Sequence, residues 1–388
     1  MFYQLSPAGN PIRTHPVAAA DAVDWTGFAP YRPHFYQSGT AALAAALLAA
    51  KRLKPVADPA VIVPAYGCPD IVSAVIHAGA RPVAVDLEAD RPWMDITAVE
   101  AACGDDTIAL VAAAFCGIQE RIGRLRDVAG RVGAVVIEDS AQLFPAADET
   151  GIWDADLVVL SFGRGKPVSL LGGGAVLRRA AIPDDSLPAG HTAAGQGPLA
   201  RLGLRAGLHL YNMLLSPRRY WLLRCLPWLH LGETRYRPLP SIQQIDPFRR
   251  SLLTANIAHY QAAPLTAQER IREALAGACP GLVDLPALCG VGRTRRLLRY
   301  PLLVEARARD AILDRLTRAG LGASALYPAP LPGLPGMAAA IGHGGDYRNA
   351  AAFAARLITL PTHEGVRAGD VDRMQRILAK GGWNRDDR

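Results

Sequence analysis

Ala134-Val135-Val136-Ile137-Glu138-Asp139 is an apolar run that closes on two acids, and Asp156-Leu157-Val158-Val159-Leu160-Ser161-Phe162 repeats the pattern further on. Strands without an alternating polar face belong to sheets covered on both sides, as parallel sheets are. On the amino side the chain alternates in kind. Thr40 to Leu53 reads as a helix entered from Ser38-Gly39, Val61-Ile62-Val63 as a strand stopped by Pro64, and Asp70 to Ala78 as a helix. Arg81 to Asp86 is a further strand, Thr107 to Phe115 an apolar run, and Gly123 to Arg131 a helix. This alternation predicts an α/β fold around a mostly parallel sheet. Ligands of such sheets bind beyond the carboxyl ends of the strands, where Asp139 and Ser161 fall.

On the carboxyl side the rhythm breaks. Residues 183–198 read as a loop. Leu199 to Leu231 mixes apolar residues with Arg201, Arg205, Arg218, Arg219 and Arg224, plus Trp221 and Trp228. Two readings stay open: a basic amphipathic surface that meets a membrane or grips a lipid-linked or nucleotide substrate, or two helices packed on the domain or on a dimer partner. From Leu252 to Ala276 the pattern is helical, broken at Pro264 and stopped at Gly277. A strand at Arg299 to Val304, helices at Ala308 to Ala319 and Asn349 to Leu357, and a last helix from Asp370 make a smaller α+β unit. The tail 381–388 reads as frayed.

The chain has 388 residues, half of them hydrophobic and 20% charged, which excludes global disorder. Lys and Arg number 42 against 35 acids, a net +7, which suits nucleic acid, a membrane surface or an anionic small molecule. Aromatic residues at 6% disfavour a binder that stacks single-stranded bases. The cysteines form no Cys-x-x-Cys pair, so reduced thiols and no metal site are expected. Met1 to Leu5 has no basic start leading into an apolar run, and runs such as Ala41 to Ala50 are too short for a bilayer, so a cytoplasmic protein is expected.

Three motifs carry chemistry. Ser38-Gly39-Thr40-Ala41-Ala42-Leu43 opens a helix with free amides suited to a phosphate, although plain capping reads the same. Glu138-Asp139-Ser140-Ala141-Gln142 puts acids at the end of a buried strand, where charge is costly unless a cation meets it; Asp139 as a helix cap is the plainer alternative. Ser161-Phe162-Gly163-Arg164-Gly165-Lys166, followed by Gly172-Gly173-Gly174, sets a lysine in a glycine-rich loop. There it is either a surface residue or an amine desolvated enough to attack a carbonyl. The chain has only four lysines, Lys51, Lys54, Lys166 and Lys380.

In this order the motifs resemble those of the DegT–DnrJ–StrS family of pyridoxal-phosphate (PLP) sugar aminotransferases. That family shows a Ser-Gly-Thr-Ala-Ala-Leu helix start, a strand ending Glu-Asp-(Ala/Ser)-Ala-Gln, then Ser-Phe-x-x-x-Lys and a glycine pair. Val63-Pro64-Ala65-Tyr66 and Gly79 to Asp86 fit it as well, and Tyr327-Pro328 and Leu360-Pro361-Thr362-His363 echo it. The resemblance implies the type I PLP-transferase fold: a mostly parallel seven-stranded sheet in a large domain, residues 1–245, and a smaller α+β domain, residues 246–388. It implies that Lys166 carries PLP and moves protons, that Asp139 pairs with the pyridine nitrogen, and that Gln142 meets the phenolic oxygen with Ala141 on one ring face. Gly39, Thr40, Ala41 and Ser161 would hold the phosphate. Tyr66 would stack on the other face, a position that strict alignment gives to Cys68.

The implied reaction moves an amino group from glutamate or glutamine to an anionic keto-sugar, nucleotide-linked, in surface polysaccharide or secondary metabolism. It implies a homodimer and no nucleic acid. A non-sugar ketone, a dehydration, or a non-catalytic, membrane-associated PLP-fold protein that touches the bilayer through residues 199–231 stay open as alternatives. The chain departs from the family in a shorter stretch before Ser38 and in lacking the Gly-Tyr-Asn-x-Arg segment, whose Asn reaches the partner subunit's phosphate. Asn256 is the available stand-in.

Overall fold

The computed structural model describes residues 3–16, 28–149, 151–192, 197–224, 236–276, 281–341 and 345–380. The expected stop at Gly277, the tail 381–388 and the basic stretch beyond Arg224 lie outside them. The first part of the chain runs β1 (Tyr31–Tyr36), α1 (Gly39–Leu53), β2 (Ala60–Pro64), α2 (Pro69–His77), β3 (Arg81–Val85), α3 (Ile96–Ala102), β4 (Thr107–Ala113), α4 (Ile122–Val132), β5 (Val135–Asp139), β6 (Leu157–Ser161) and β7 (Gly174–Arg179). Then come α5 (Pro198–Leu214), α6 (Pro217–Arg224), α7 (Pro247–Ser251), α8 (Leu253–Ala262) and α9 (Thr266–Leu275). The last part is β8 (Val283–Asp284), α10 (Leu285–Leu288), β9 (Arg299–Leu303), α11 (Ala306–Arg318), α12 (Ala338–Ile341), α13 (Arg348–Arg356), β10 (Leu357–Pro361) and α14 (Ala368–Ala379).

The seven-stranded sheet has the order β1-β7-β6-β5-β4-β2-β3, and only β7 runs against its neighbours. Alternation along each strand feeds two cores. Val61, Val63, Val111, Ile137 and Val159 face one side with α1 and α2, while Ile62, Leu110, Val136, Val158 and Leu160 face the other with α3, α4 and α8. Each such buried aliphatic side chain contributes about 1.5–3 kcal/mol. Helix α1 lies flat on the sheet because seven of its alanines are buried. Ser38 caps it, and Lys51 and Arg52 suit its negative end.

A second sheet, β10-β9-β8, is antiparallel and has its own core with α9, α11, α13 and α14. Phe248, Leu252, Ile257 and Tyr260 of α7 and α8 still belong to the core of the large sheet, and the second core takes up the chain at Ala267. Strands β1 and β10 are additions to the expected set. Pro33 obscures β1, yet proline is tolerated there because β1 is an edge strand. Strand β10 follows α13 without a loop, so the helical pattern runs straight into it.

Candidate active site

Successive side chains of a strand face opposite ways, so the two acids that end β5 part company. Glu138 turns to the face of Val136 and is fully buried. Gln119 Nε2 donates to its two oxygens at 3.1 and 3.0 Å, and Ser140 Oγ donates at 2.7 Å. Burial pushes its carboxyl up to about 7. Asp139 instead lines a cavity at the carboxyl ends of β2, β4, β5 and β6. Among the described residues its carboxylate has one hydrogen-bond donor, the Ala141 amide at 3.1 Å. Burial raises its pKa, and the positive charge of Lys166 opposes that rise. The cation expected to meet the acidic pair therefore serves Asp139, while Glu138 is held by neutral donors.

Register sets Asp139 beside Val159 of β6, so Ser161 ends the neighbouring strand. Ser161 faces the start of α1 at very close range: a Cβ on Gly39 would lie 2.6 Å from Ser161 Cβ and 2.7 Å from its Oγ. Only glycine lets the first turn of the helix approach so closely. Gly39, Thr40 and Ser161 all line the cavity. Ala41 does not, because its amide is spent on the Ser38 cap at 3.1 Å. Of the three residues expected at the phosphate, two line the cavity, and the third has its amide on the cap. The glycine run is likewise steric: a Cβ on Gly174 would sit 2.5 Å from the Ser38 carbonyl oxygen.

Lys166 follows Gly165, whose φ of +71° brings the loop back over the strand ends. Lys51 donates to the carbonyls of Ala78 and Gly79, and Lys54 to those of Thr107 and Val132. No hydrogen bond or ion pair among the described residues holds the Lys166 amine. Ala141 and Gln142 line the same cavity. Gln142 Oε1 accepts from the Cys116 amide at 2.9 Å, and its Nε2 donates to the Tyr327 hydroxyl at 3.2 Å.

Tyr66 and Cys68 both line the cavity. The Tyr66 hydroxyl is tied to the Tyr327 carbonyl at 3.1 Å, and its ring meets Phe115, Tyr327 and Phe353 with centroids 5.9, 5.5 and 5.2 Å away. Cys68 stands at the start of α2, where burial pushes its thiol up to about 12. Asn256 is a correction. Its side chain accepts from the Arg13 amide and donates to the carbonyls of Arg13 and Leu252, so it has no donor left for a partner subunit. Sequence reasoning gave no role to Tyr327, Phe115 or Asp70, which also line the cavity. Tyr327-Pro328 was the available signal for the first.

A second, larger chamber shares Gln142, Lys166 and Tyr327 with the first. Helix α5, Arg164 and Arg299 form part of its wall, and Pro7 and Ala8 reach it from the amino terminus.

The model of the DegT/DnrJ/EryC1/StrS aminotransferase family matches residues 35–185 and 265–379. The chain belongs to this family. PLP is the family's cofactor, and the cavity fits it: the start of a helix brought against the Ser161 hydroxyl by Gly39, a buried carboxylate and an unengaged amine. The 3-amino-5-hydroxybenzoate synthase of Amycolatopsis mediterranei (strain S699) is 26% identical over 277 residues. That match covers 69% of this chain and 63% of the relative, less than two thirds of its length. Among solved structures, the PLP form of Spr1654 from Streptococcus pneumoniae has a TM-score of 0.69 at 22% identity, covering 96% of this chain and 92% of the other. S. venezuelae DesV has a TM-score of 0.68 at 20% identity, covering 96% and 91%. These likenesses establish the type I fold with its mostly parallel seven-stranded sheet.

Proposed function

We propose that this family member transfers an amino group from glutamate or glutamine to the ketone of a small anionic acceptor, with Lys166 and Asp139 as its catalytic residues. Gly39, Thr40 and Ser161 would hold the PLP phosphate, Asp139 the pyridine nitrogen, and Gln142 the phenolic oxygen. Bound there, PLP supplies the electron sink that stabilises negative charge on the amino-bearing carbon. Lys166 Nζ would take the proton from the donor's α-carbon and return one to the carbon of the former ketone. Asp139 would keep a proton on the nitrogen it faces, which its low-dielectric surroundings favour.

The observation that carries this reading is the unengaged Lys166 amine, which lines both the Asp139 cavity and the larger chamber. A nucleotide-linked keto-sugar follows from the family resemblance. A non-sugar ketone is the second reading, favoured by the leucines of the larger chamber. A homodimer and a cytoplasmic setting belong to the same proposal. Among the described residues no helix is long and apolar enough to cross a membrane.

Borohydride treatment of the PLP-loaded protein should fix one cofactor mass onto the peptide that contains Lys166. Lys166→Ala should lose that label, and its turnover should drop by about a thousandfold or more with the circular dichroism unchanged. A label on another lysine, or activity surviving in Lys166→Ala, would refute the assignment.

A further inference from the structure

The larger chamber has a one-sided chemistry. Arg164, Lys166 and Arg299 line it, and no aspartate or glutamate among the described residues does. Arg299 opens β9, and its Nη1 donates to Ser324 Oγ at 2.7 Å. Its Nε is buried without a partner, and no ion pair among the described residues neutralises it. Burial lowers its pKa, as expected for a guanidinium lacking a counter-charge. A cation held this way is costly unless an anion completes it.

The rest of the wall is mostly apolar, six leucines with Pro7 and Ala8, beside Gln142 and the hydroxyl-bearing Tyr211, Tyr220 and Tyr327. Gly207, Leu210, Tyr211 and Leu214 of α5 stand at the spacing of a single helical face, and all four line the chamber. Helix α5 contains no acid. A Cβ at Gly207 would meet nothing within 4 Å, so the missing side chain adds room rather than permitting a contact. Leu171 and Leu326, on the opposite side, have φ of 56° and 57°. Leucine enters that region reluctantly, and such strain concentrates at ligand sites. The family model matches residues 35–185 and 265–379, so α5 falls between the two matched spans.

We propose that the larger chamber is the acceptor subsite and takes a ketone with a bulky apolar body and a single anionic group, a carboxylate or a phosphate monoester, seated on Arg299. A nucleoside diphosphate would bring two phosphates, ribose hydroxyls and base edges to a wall whose neutral polar groups are Gln142 and three tyrosine hydroxyls, so most of those polar groups would lose their water without replacement. The proposal rests on the reading of Lys166 as the amine that serves the chamber.

Titration calorimetry on the PLP-loaded protein tests it with four probes: 4-phenylbutanoate, its primary amide, phenyl phosphate and uridine diphosphate. The expected result is that 4-phenylbutanoate, phenyl phosphate or both bind at least tenfold more tightly than the neutral amide. Arg299→Gln should erase that difference at unchanged PLP content, and Leu214→Asn should weaken acid and amide alike. Failure of both 4-phenylbutanoate and phenyl phosphate to bind more tightly than the amide, or tighter binding of uridine diphosphate, would overturn the proposal. So would a preference for the acid that survives in Arg299→Gln. If Arg299→Gln fails to fold, the ranking of the probes on the parent protein and the Leu214→Asn result still decide. Should the borohydride label miss Lys166 while the Arg299-dependent preference stands, the transamination reading fails and the anion site remains.

Discussion

Glu138 has no exposed surface and is held by Gln119 and Ser140, with Trp153 Nε1 donating to Ser140 Oγ at 3.1 Å behind them. Its carboxyl rises from 4.5 to about 7 because burial disfavours the charge. A raised acid favours the fold while protonated, so its contribution is complete below the unfolded value. It is lost as pH climbs through the folded one, since over that window the folded state binds more protons than the unfolded. The loss is about 3 kcal/mol across the window. Glu138→Gln should flatten this slope, so that the variant gains on the parent between about pH 5 and pH 8 in thermal unfolding. A difference in melting temperature that stays constant with pH would count against it. At this scale the sequence was partly legible. Asp139, Gln142, Ser161 and Lys166 could be read because order and spacing place them. The division of labour between Glu138 and Asp139 could not, because it depends on which neutral donors other elements bring to the buried side.

Among the elements, α1 is the one whose position is set to within an atom. Its first turn touches the end of β6 through Gly39 and Ser161, and β7 passes behind it at Gly174. Gly39→Ala adds a methyl where no space exists, so either α1 or the end of β6 must retreat. Such overpacking costs about 1–3 kcal/mol. We expect the variant to fold, to unfold at a lower temperature, and to bind PLP about tenfold more weakly, with inorganic phosphate weakened in parallel. Unchanged PLP affinity would mean that the cofactor's phosphate sits elsewhere. Helix α1 and strands β2, β4, β5 and β6 were legible because apolar runs and alanine periodicity survive without context. Helix α3, with Val99 as its one buried residue, carries too little pattern to be seen. The wall that α5 gives to the larger chamber was invisible for another reason: its face is defined only by what lies opposite.

For the whole molecule, the proposed homodimer has a surface to explain. Leu199 is 83% exposed and Leu202 64%, and Leu210 and Met213 follow on the same helix. A free surface rarely keeps so many large apolar side chains together. Sedimentation velocity at about micromolar concentration should find two copies, and diluting or charging this face through Leu202→Glu should shift the balance to one. A monomer throughout would set the dimer aside. Anionic vesicles that pellet the protein at low salt would return the basic stretch to its membrane reading.

Tyr66 and Phe115, beyond the ends of β2 and β4, join Tyr327 and Phe353 in the core of the second sheet, set mostly edge to face. Each such pair is worth about 0.5–1.5 kcal/mol beyond the area it buries. Tyr66 and Tyr327 also form part of the cavity wall, so parting the domains would tear the pocket itself. A ligand in this cavity therefore touches both parts of the chain at once.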